Sequence, residues 1–248
     1  MNSAGRCALV LGASGGLGSA MVSEFLNDPE IDKVFAVSSK KNPVGSNEGQ
    51  NQSKLVWLQA EYSETQMADT VSQLMPHAGT FSRVCVCHGL LHSDKLWPEK
   101  RLEDITSEAL QEIFHSNTVV PALWLKLLFK ILKGQTPCIV ATMSARVGSL
   151  SDNNLGGWYA YRASKAALNM VLKTASIEYA RRAKNVKLIA FHPGTTDTAL
   201  SKPFQSTVPT GKLFTTEFVA EQLAMIMDSA QLDGELSYLD WDGQTIAW

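Results

Sequence analysis

The chain has 248 residues, 45% hydrophobic and 19% charged, with 22 Lys and Arg against 24 Asp and Glu and a net charge of -2. A chain so balanced has no basic stripe for nucleic acid and no polybasic membrane patch, and its length supports one large α/β domain with a substantial core. Its 4 cysteines do not suggest a disulfide framework, so a reducing cytoplasm is the simplest compartment.

The N-terminus, MNSAGRCALVLG, holds only a short apolar run and does not read as a signal peptide. CALVL then runs as a first strand straight into LGASGGLG, with a helix in GLGSAMVSEFL. KVFAVS follows, then the polar stretch Lys41 to Lys54, expected to be a surface loop. KLVWL, the helical pattern TQMADTVSQLM and RVCVC come next. One long helix is expected over SEALQEIFHSNTVVPALWLKLLFKIL. Its apolar stretch is broken by Lys126 and Lys130 and is too short to span a bilayer. CIVATM, the helix YRASKAALNMVLKTASIEYARR, VKLIAF, the helix TEFVAEQLAMIMDS and a weak last strand in ELSYLDW complete the chain. Strands apolar on both faces that alternate with helices imply a parallel sheet covered on both sides. We expect a single doubly wound Rossmann-type α/β domain over residues 1–248, with about seven strands.

The turn after the first strand carries Gly12, Gly15, Gly16 and Gly18, with Ser14 and Leu17 between them. Backbone N–H groups can approach a pyrophosphate only where no Cβ obstructs them, and the following helix N-terminus adds partial positive charge. These six residues are therefore expected to contact a dinucleotide. At the other chemical end, Tyr161 and Lys165 lie four apart in WYAYRASKAALN, on one helix face, whereas four residues beyond Tyr159 lies Ala163. A unit charge about 4 Å away at an effective dielectric near 20 is worth roughly 4 kcal/mol, about three pKa units, and would bring Tyr161 to roughly 7.

Together these motifs resemble the short-chain dehydrogenase/reductase family, and the resemblance covers essentially the whole chain. The Gly-x-x-x-Gly-x-Gly turn matches, with Leu11 in place of the family's Thr. Val86, Cys87, His88 and Gly89 stand where the family has Asn-Asn-Ala-Gly, a departure expected to alter packing only. Asn117, Ser144, Tyr161 with Lys165, and the Pro193-Gly194 segment follow in the family's order. The stretches SARVGS, GGWYAYRASKAALN, HPGTTDTALSKPF and DWDGQTIAW look most like the C-factor-like branch, whose namesake is a bacterial cell-to-cell signalling protein. The gap between Ser144 and Tyr161 is longer than usual, an excess assigned to SLSDNNLGG.

The resemblance implies an oxidoreductase that reduces a small-molecule aldehyde or ketone to an alcohol. Tyr161 would be the acid/base and Lys165 its partner, also binding the nicotinamide ribose. Ser144 would hydrogen-bond the substrate oxygen and Asn117 would hold a relaying water. Gly89, Pro193, Gly194, Thr195, Thr196 and Thr198 would line the cofactor, and Glu61 would stand against adenine. The second strand ends in Ser38, Ser39, Lys40 and Lys41 where an acid would bind a ribose 2′-OH, so NADP(H) is favoured over NAD(H). Residues 195–214 are long for a strand-to-helix connection and are expected to form a lid over the substrate. Cys85, Cys87 and His88 read as buried groups and His192 as structural, with no metal site. Apolar residues on several faces of Leu110–Leu132 and Tyr161–Arg182 imply a homodimer or homotetramer. The alternative reading is a dinucleotide-binding signalling protein with little turnover.

Overall fold

The computed structural model describes residues 5–41 and 52–248. Most of the polar stretch between Lys41 and Lys54 lies outside the described residues. The first strand, β1 (Cys7–Leu11), is buried at every position because both faces are covered. Cys7, Leu9 and Leu11 join one apolar layer, whereas Ala8 and Val10 join the other, as the period of two requires.

In chain order, α1 (Gly16–Asn27), β2 (Lys33–Ser38), β3 (Leu55–Gln59), α2 (Glu64–Leu74) and β4 (Phe81–Val86) follow. The expected long helix is instead α3 (Ser107–Phe114), a π-helical turn at His115–Val119, and α4 (Val120–Leu132). Periodicity could not separate these because the axis continues; the wider turn rotates Asn117 into the interior. Then come β5 (Cys138–Met143), α5 (Tyr159–Arg182), β6 (Val186–His192), the short β7 (Thr195–Thr196) and β8 (Leu213–Phe214), α6 (Thr216–Ser229) and β9 (Ser237–Asp240).

Seven strands form one sheet in the order β3-β2-β1-β4-β5-β6-β9, parallel at every pairing. α2, α4 and α5 supply one apolar layer and α1 and α6 the other. The strand order reverses between β1 and β4, so their carboxyl ends frame a crevice, the usual ligand position in doubly wound sheets. The remaining pair, β7 and β8, is parallel and matches Thr195 with Leu213 and Thr196 with Phe214. It ties together the two ends of the expected lid. No described helix is long and apolar enough to cross a membrane.

The start of α5 is held from a distance. Gly156, Gly157 and Trp158 all have left-handed backbone, and Trp158 (φ 53°) offers no side-chain cap. Glu99 substitutes for it: its backbone carbonyl accepts from Trp158 N at 2.6 Å and its buried carboxylate accepts from Ala160 N at 3.2 Å. A carboxylate at a helix N-terminus satisfies an orphan donor and complements the helix dipole.

Candidate active site

The glycine turn is built as the spacing predicts. Gly12 has φ +82°, and a Cβ on Gly18 would lie 2.2 Å from the Gly12 carbonyl oxygen, which no side chain survives. Gly15 occupies the N-cap of α1 without a side-chain cap, and the first turn of that helix has no acid. Backbone donors with a glycine cradle and no competing anion fit a pyrophosphate. A Cβ on Gly16 would meet Thr198 at 2.7 Å, so the fold brings Thr198 against this turn. Ser14 is part of it too, accepting a hydrogen bond from Ser38 Oγ at 2.6 Å. Ser38 is buried, whereas Ser39, Lys40 and Lys41 are exposed at the rim. Glu61 is exposed beyond them, its backbone N–H donating to Gln66 Oε1 at 2.6 Å.

His88, which stands where the family pattern has Ala, packs edge-on to Tyr62 at 4.3 Å and parallel to Trp124 at 6.5 Å. Burial drives it down to about 3 and Cys87 up to about 12, so neither is ionised at neutral pH. Leu17 and Thr195 are half-buried, and Thr196 is buried with its hydroxyl donating to the Pro193 carbonyl at 3.3 Å. Gly194 has φ +70° and lies against Phe214 and Trp241 at the base of residues 195–214. His192 is mostly buried and lowered to about 4.

The chemical cluster arises where the end of β5 crosses one face of α5. Met143 accepts from Lys165 Nζ at 2.8 Å, Ser144 Oγ donates to Asn169 Oδ1 at 2.6 Å, and Ala145 packs with Tyr161. Met143, the last residue of β5, and the two residues that follow it thus meet three successive rungs of a helix face. Asn117, in the π turn, is pinned by the backbone of Leu90: Oδ1 accepts from Leu90 N at 2.7 Å and Nδ2 donates to Leu90 O at 2.9 Å. Nδ2 also donates to Ser164 Oγ at 3.0 Å, one turn from Tyr161. Gly89 closes the group, since a Cβ there would lie 3.8 Å from Lys165 Nζ and 3.9 Å from Asn117 Oδ1. Tyr159 takes no part in it.

The charge balance differs from what helical spacing alone leads one to expect. Burial pushes the Tyr161 phenol above its ordinary value, with Tyr238 adding to the effect, and burial brings Lys165 down to about 7. A strong Coulomb attraction needs a full ammonium charge close to the phenol. Lys165 is 2% exposed, and its Nζ stands 5.8 Å from the Tyr161 ring centre. Desolvation of both groups therefore exceeds their attraction. A tyrosine in this state keeps its proton at neutral pH, which suits a donor better than a base.

Over Tyr161 lies an apolar wall that the sequence motifs do not reveal. Trp158 stands 6.2 Å from the Tyr161 ring and 5.0 Å from Phe204. Phe204 also meets Trp97 at 6.0 Å and His92 at 5.7 Å, and Leu200 joins the same cluster. Because Leu200 and Phe204 belong to residues 195–214, that segment covers the tyrosine. A separate cleft of about 520 Å³ lies elsewhere, between the C-terminal ends of α1 and α6, lined by Glu24, Asp28, Arg83 and Asp228. An aromatic residue amid the lid sequence was the available signal for the wall, but nothing local paired it with Trp158.

Comparison with known proteins agrees with this fold. The benzil reductase ((S)-benzoin forming) of Bacillus subtilis is 24% identical over 245 residues, covering 92% of this chain and 96% of that protein. The C-signal of Myxococcus xanthus is 33% identical over 109 residues, 44% of this chain and 60% of its own length. A short-chain dehydrogenase/reductase from Burkholderia multivorans, solved with bound NADP, superposes with a TM-score of 0.82 at 21% identity, covering 98% of this chain and 99% of that one. The family described as short chain dehydrogenase matches residues 6–209, and with that span the chain belongs to the short-chain dehydrogenase/reductase family of oxidoreductases.

Proposed function

We propose that the protein is an NADP(H)-dependent reductase of a carbonyl compound carrying an aromatic group. The observation that carries the reading is the meeting of Met143, Ser144 and Ala145 with Lys165, Asn169 and Tyr161 on one face of α5. When bound along the glycine turn, the dinucleotide supplies a hydride to the carbonyl carbon. Tyr161 donates its phenolic proton to the oxygen, and Lys165 stabilises the phenolate until it regains a proton. Ser144 holds the same oxygen. Asn117, fixed by Leu90, orders the space beside Lys165. The hydroxyls of Ser14, to which buried Ser38 donates, and of Ser39, with the cations of Lys40 and Lys41, suit a 2′-phosphate, which a carboxylate there would repel. The aromatic preference rests on Trp158, Phe204, Trp97 and His92 above Tyr161, since flat rings pack well on aromatic faces. The name of the Bacillus relative points the same way.

The test is NADPH consumption across aliphatic aldehydes, cyclic ketones, quinones and aryl diketones. Reduction of aryl carbonyls with the highest kcat/KM supports the assignment, and equal rates across the panel remove the aromatic part of it. No turnover with any member favours the second reading, a dinucleotide-binding signalling protein, which the partial match to the C-signal supports.

A further inference from the structure

The hydrogen bond between Ser144 and Asn169 is directed against the chemistry assigned to Ser144. Ser144 Oγ donates its one proton to Asn169 Oδ1 at 2.6 Å. A serine hydroxyl has a single proton to give. While Asn169 takes it, Ser144 can only accept, and a carbonyl oxygen gaining negative charge needs a donor. On the other side of the same amide, Nδ2 of Asn169 is buried and makes no hydrogen bond. An unpaired buried N–H is costly, and under-satisfied carbonyl oxygens are the commoner exception in folded proteins.

The amide lies between Ser144 and Tyr238. Asn169 and Ser144 are both buried. Tyr238, from β9, stands against both side chains, and its hydroxyl is committed to the Ala145 carbonyl at 2.6 Å. Asn169 follows Lys165 by four residues, as Lys165 follows Tyr161, so it is the third rung of the catalytic face. Rotating its amide by half a turn keeps the same shape and exchanges the roles. Nδ2–H then donates to Ser144 Oγ, and the serine proton turns to the substrate oxygen.

We infer that Asn169 is a positioning residue that sets the direction of the Ser144 hydroxyl, and that its amide rotation releases the serine proton to the carbonyl oxygen. The inference rests on the reading of Ser144 given under Proposed function. It adds a residue that touches neither substrate nor cofactor.

The experiment is steady-state NADPH oxidation with an aryl diketone by wild type, Ser144→Ala, Asn169→Asp, Asn169→Ala and the Ser144→Ala/Asn169→Asp double variant. NADPH affinity is followed by fluorescence and folding by thermal melting. Asn169→Asp keeps the shape but only accepts, so the serine proton stays locked. Its kcat is expected to fall at least about tenfold, as for loss of a donor to the substrate oxygen, with NADPH affinity unchanged. Activity should recover as pH falls and the new carboxyl takes a proton. Asn169→Ala frees the hydroxyl and should lose less than Asn169→Asp. The double variant should be no worse than Ser144→Ala alone.

A purely structural role makes the opposite ordering. The cavity of Asn169→Ala would then be the more damaging change, the melting temperature would track activity, and losses in the double variant would add; any of these overturns the inference. Should Asn169→Asp fail to fold, Asn169→Ala carries the test. It must lose less than Ser144→Ala, and a Ser144→Ala/Asn169→Ala double variant must lose no more than Ser144→Ala. Full activity of Ser144→Ala would overturn the assignment of Ser144 and this inference with it, whereas a loss in Ser144→Ala with none in either Asn169 variant overturns only the inference.

Discussion

Above neutrality, the rate of NADPH capture should be governed by Lys165 and not by Tyr161. Burial lowers Lys165 to about 7 and raises the Tyr161 phenol, so between pH 7 and pH 9 the phenol keeps its proton while the ammonium loses its own. With a group that titrates near 7, about a tenth of the free enzyme carries the cation at pH 8 and about a hundredth at pH 9. If productive binding needs that cation, kcat/KM for NADPH falls about tenfold per pH unit above neutrality, because this ratio reports the free enzyme. Lys165→Arg stays charged throughout the range. It should be slower overall, because a guanidinium is larger than the space at Met143 and Gly89, yet its profile should lack the alkaline fall. The assay is the initial rate of NADPH oxidation at saturating carbonyl, pH 6 to 9.5, with NADPH varied. A wild-type profile flat to pH 9, or the same fall in Lys165→Arg, would refute the reasoning.

Tyr161→Phe removes one oxygen and leaves the ring packed against Trp158 and Leu91, so carbonyl reduction should drop at least about a hundredfold with little change in NADPH affinity; Tyr159→Phe should stay within a few-fold, and equal losses in the two would show that helical spacing misleads. Lys40→Ala/Lys41→Ala should erode a preference for NADPH over NADH measured by titration, and equal binding of both cofactors by wild type would end that assignment. Acid should unfold the protein early: His88 and His192 are lowered by burial to about 3 and about 4, so the unfolded chain binds more protons below the ordinary histidine value near 6.5. The stability they contribute is present above that value and lost as pH falls towards 4, a drop in melting temperature that His88→Asn should lessen. We also propose a homo-oligomer joined through α5, which exposes Met170 and Ile177. Light scattering at micromolar concentration should give a dimer or tetramer mass that Met170→Glu/Ile177→Glu reduces, and a monomeric wild type would reject it.

Much of the site is legible in the sequence because its chemistry is local. Gly12 and Gly18 leave no room for a side chain where the strand turns into the helix, and the unbroken apolar run of CALVL marks a strand covered on both sides. Tyr161 and Lys165 share one helix, so their relation is set by 3.6 residues per turn alone. The same rule would have reached Asn169, but nothing in a helix repeat says that Ser144 stands opposite. The π turn that aims Asn117 inward, the Glu99 cap on α5 and the closure of Phe204 over Tyr161 each join segments far apart in the chain. So does the titration of the pair: Tyr161 and Lys165 are recognisable as partners from their spacing, yet which of them carries charge near neutrality depends on how many atoms exclude water from each. Sequence spacing determines which side chains can share a face, because backbone geometry is local and repeats. Only the tertiary structure decides what that face is buried against, and so the distances and desolvation that set a proton's place.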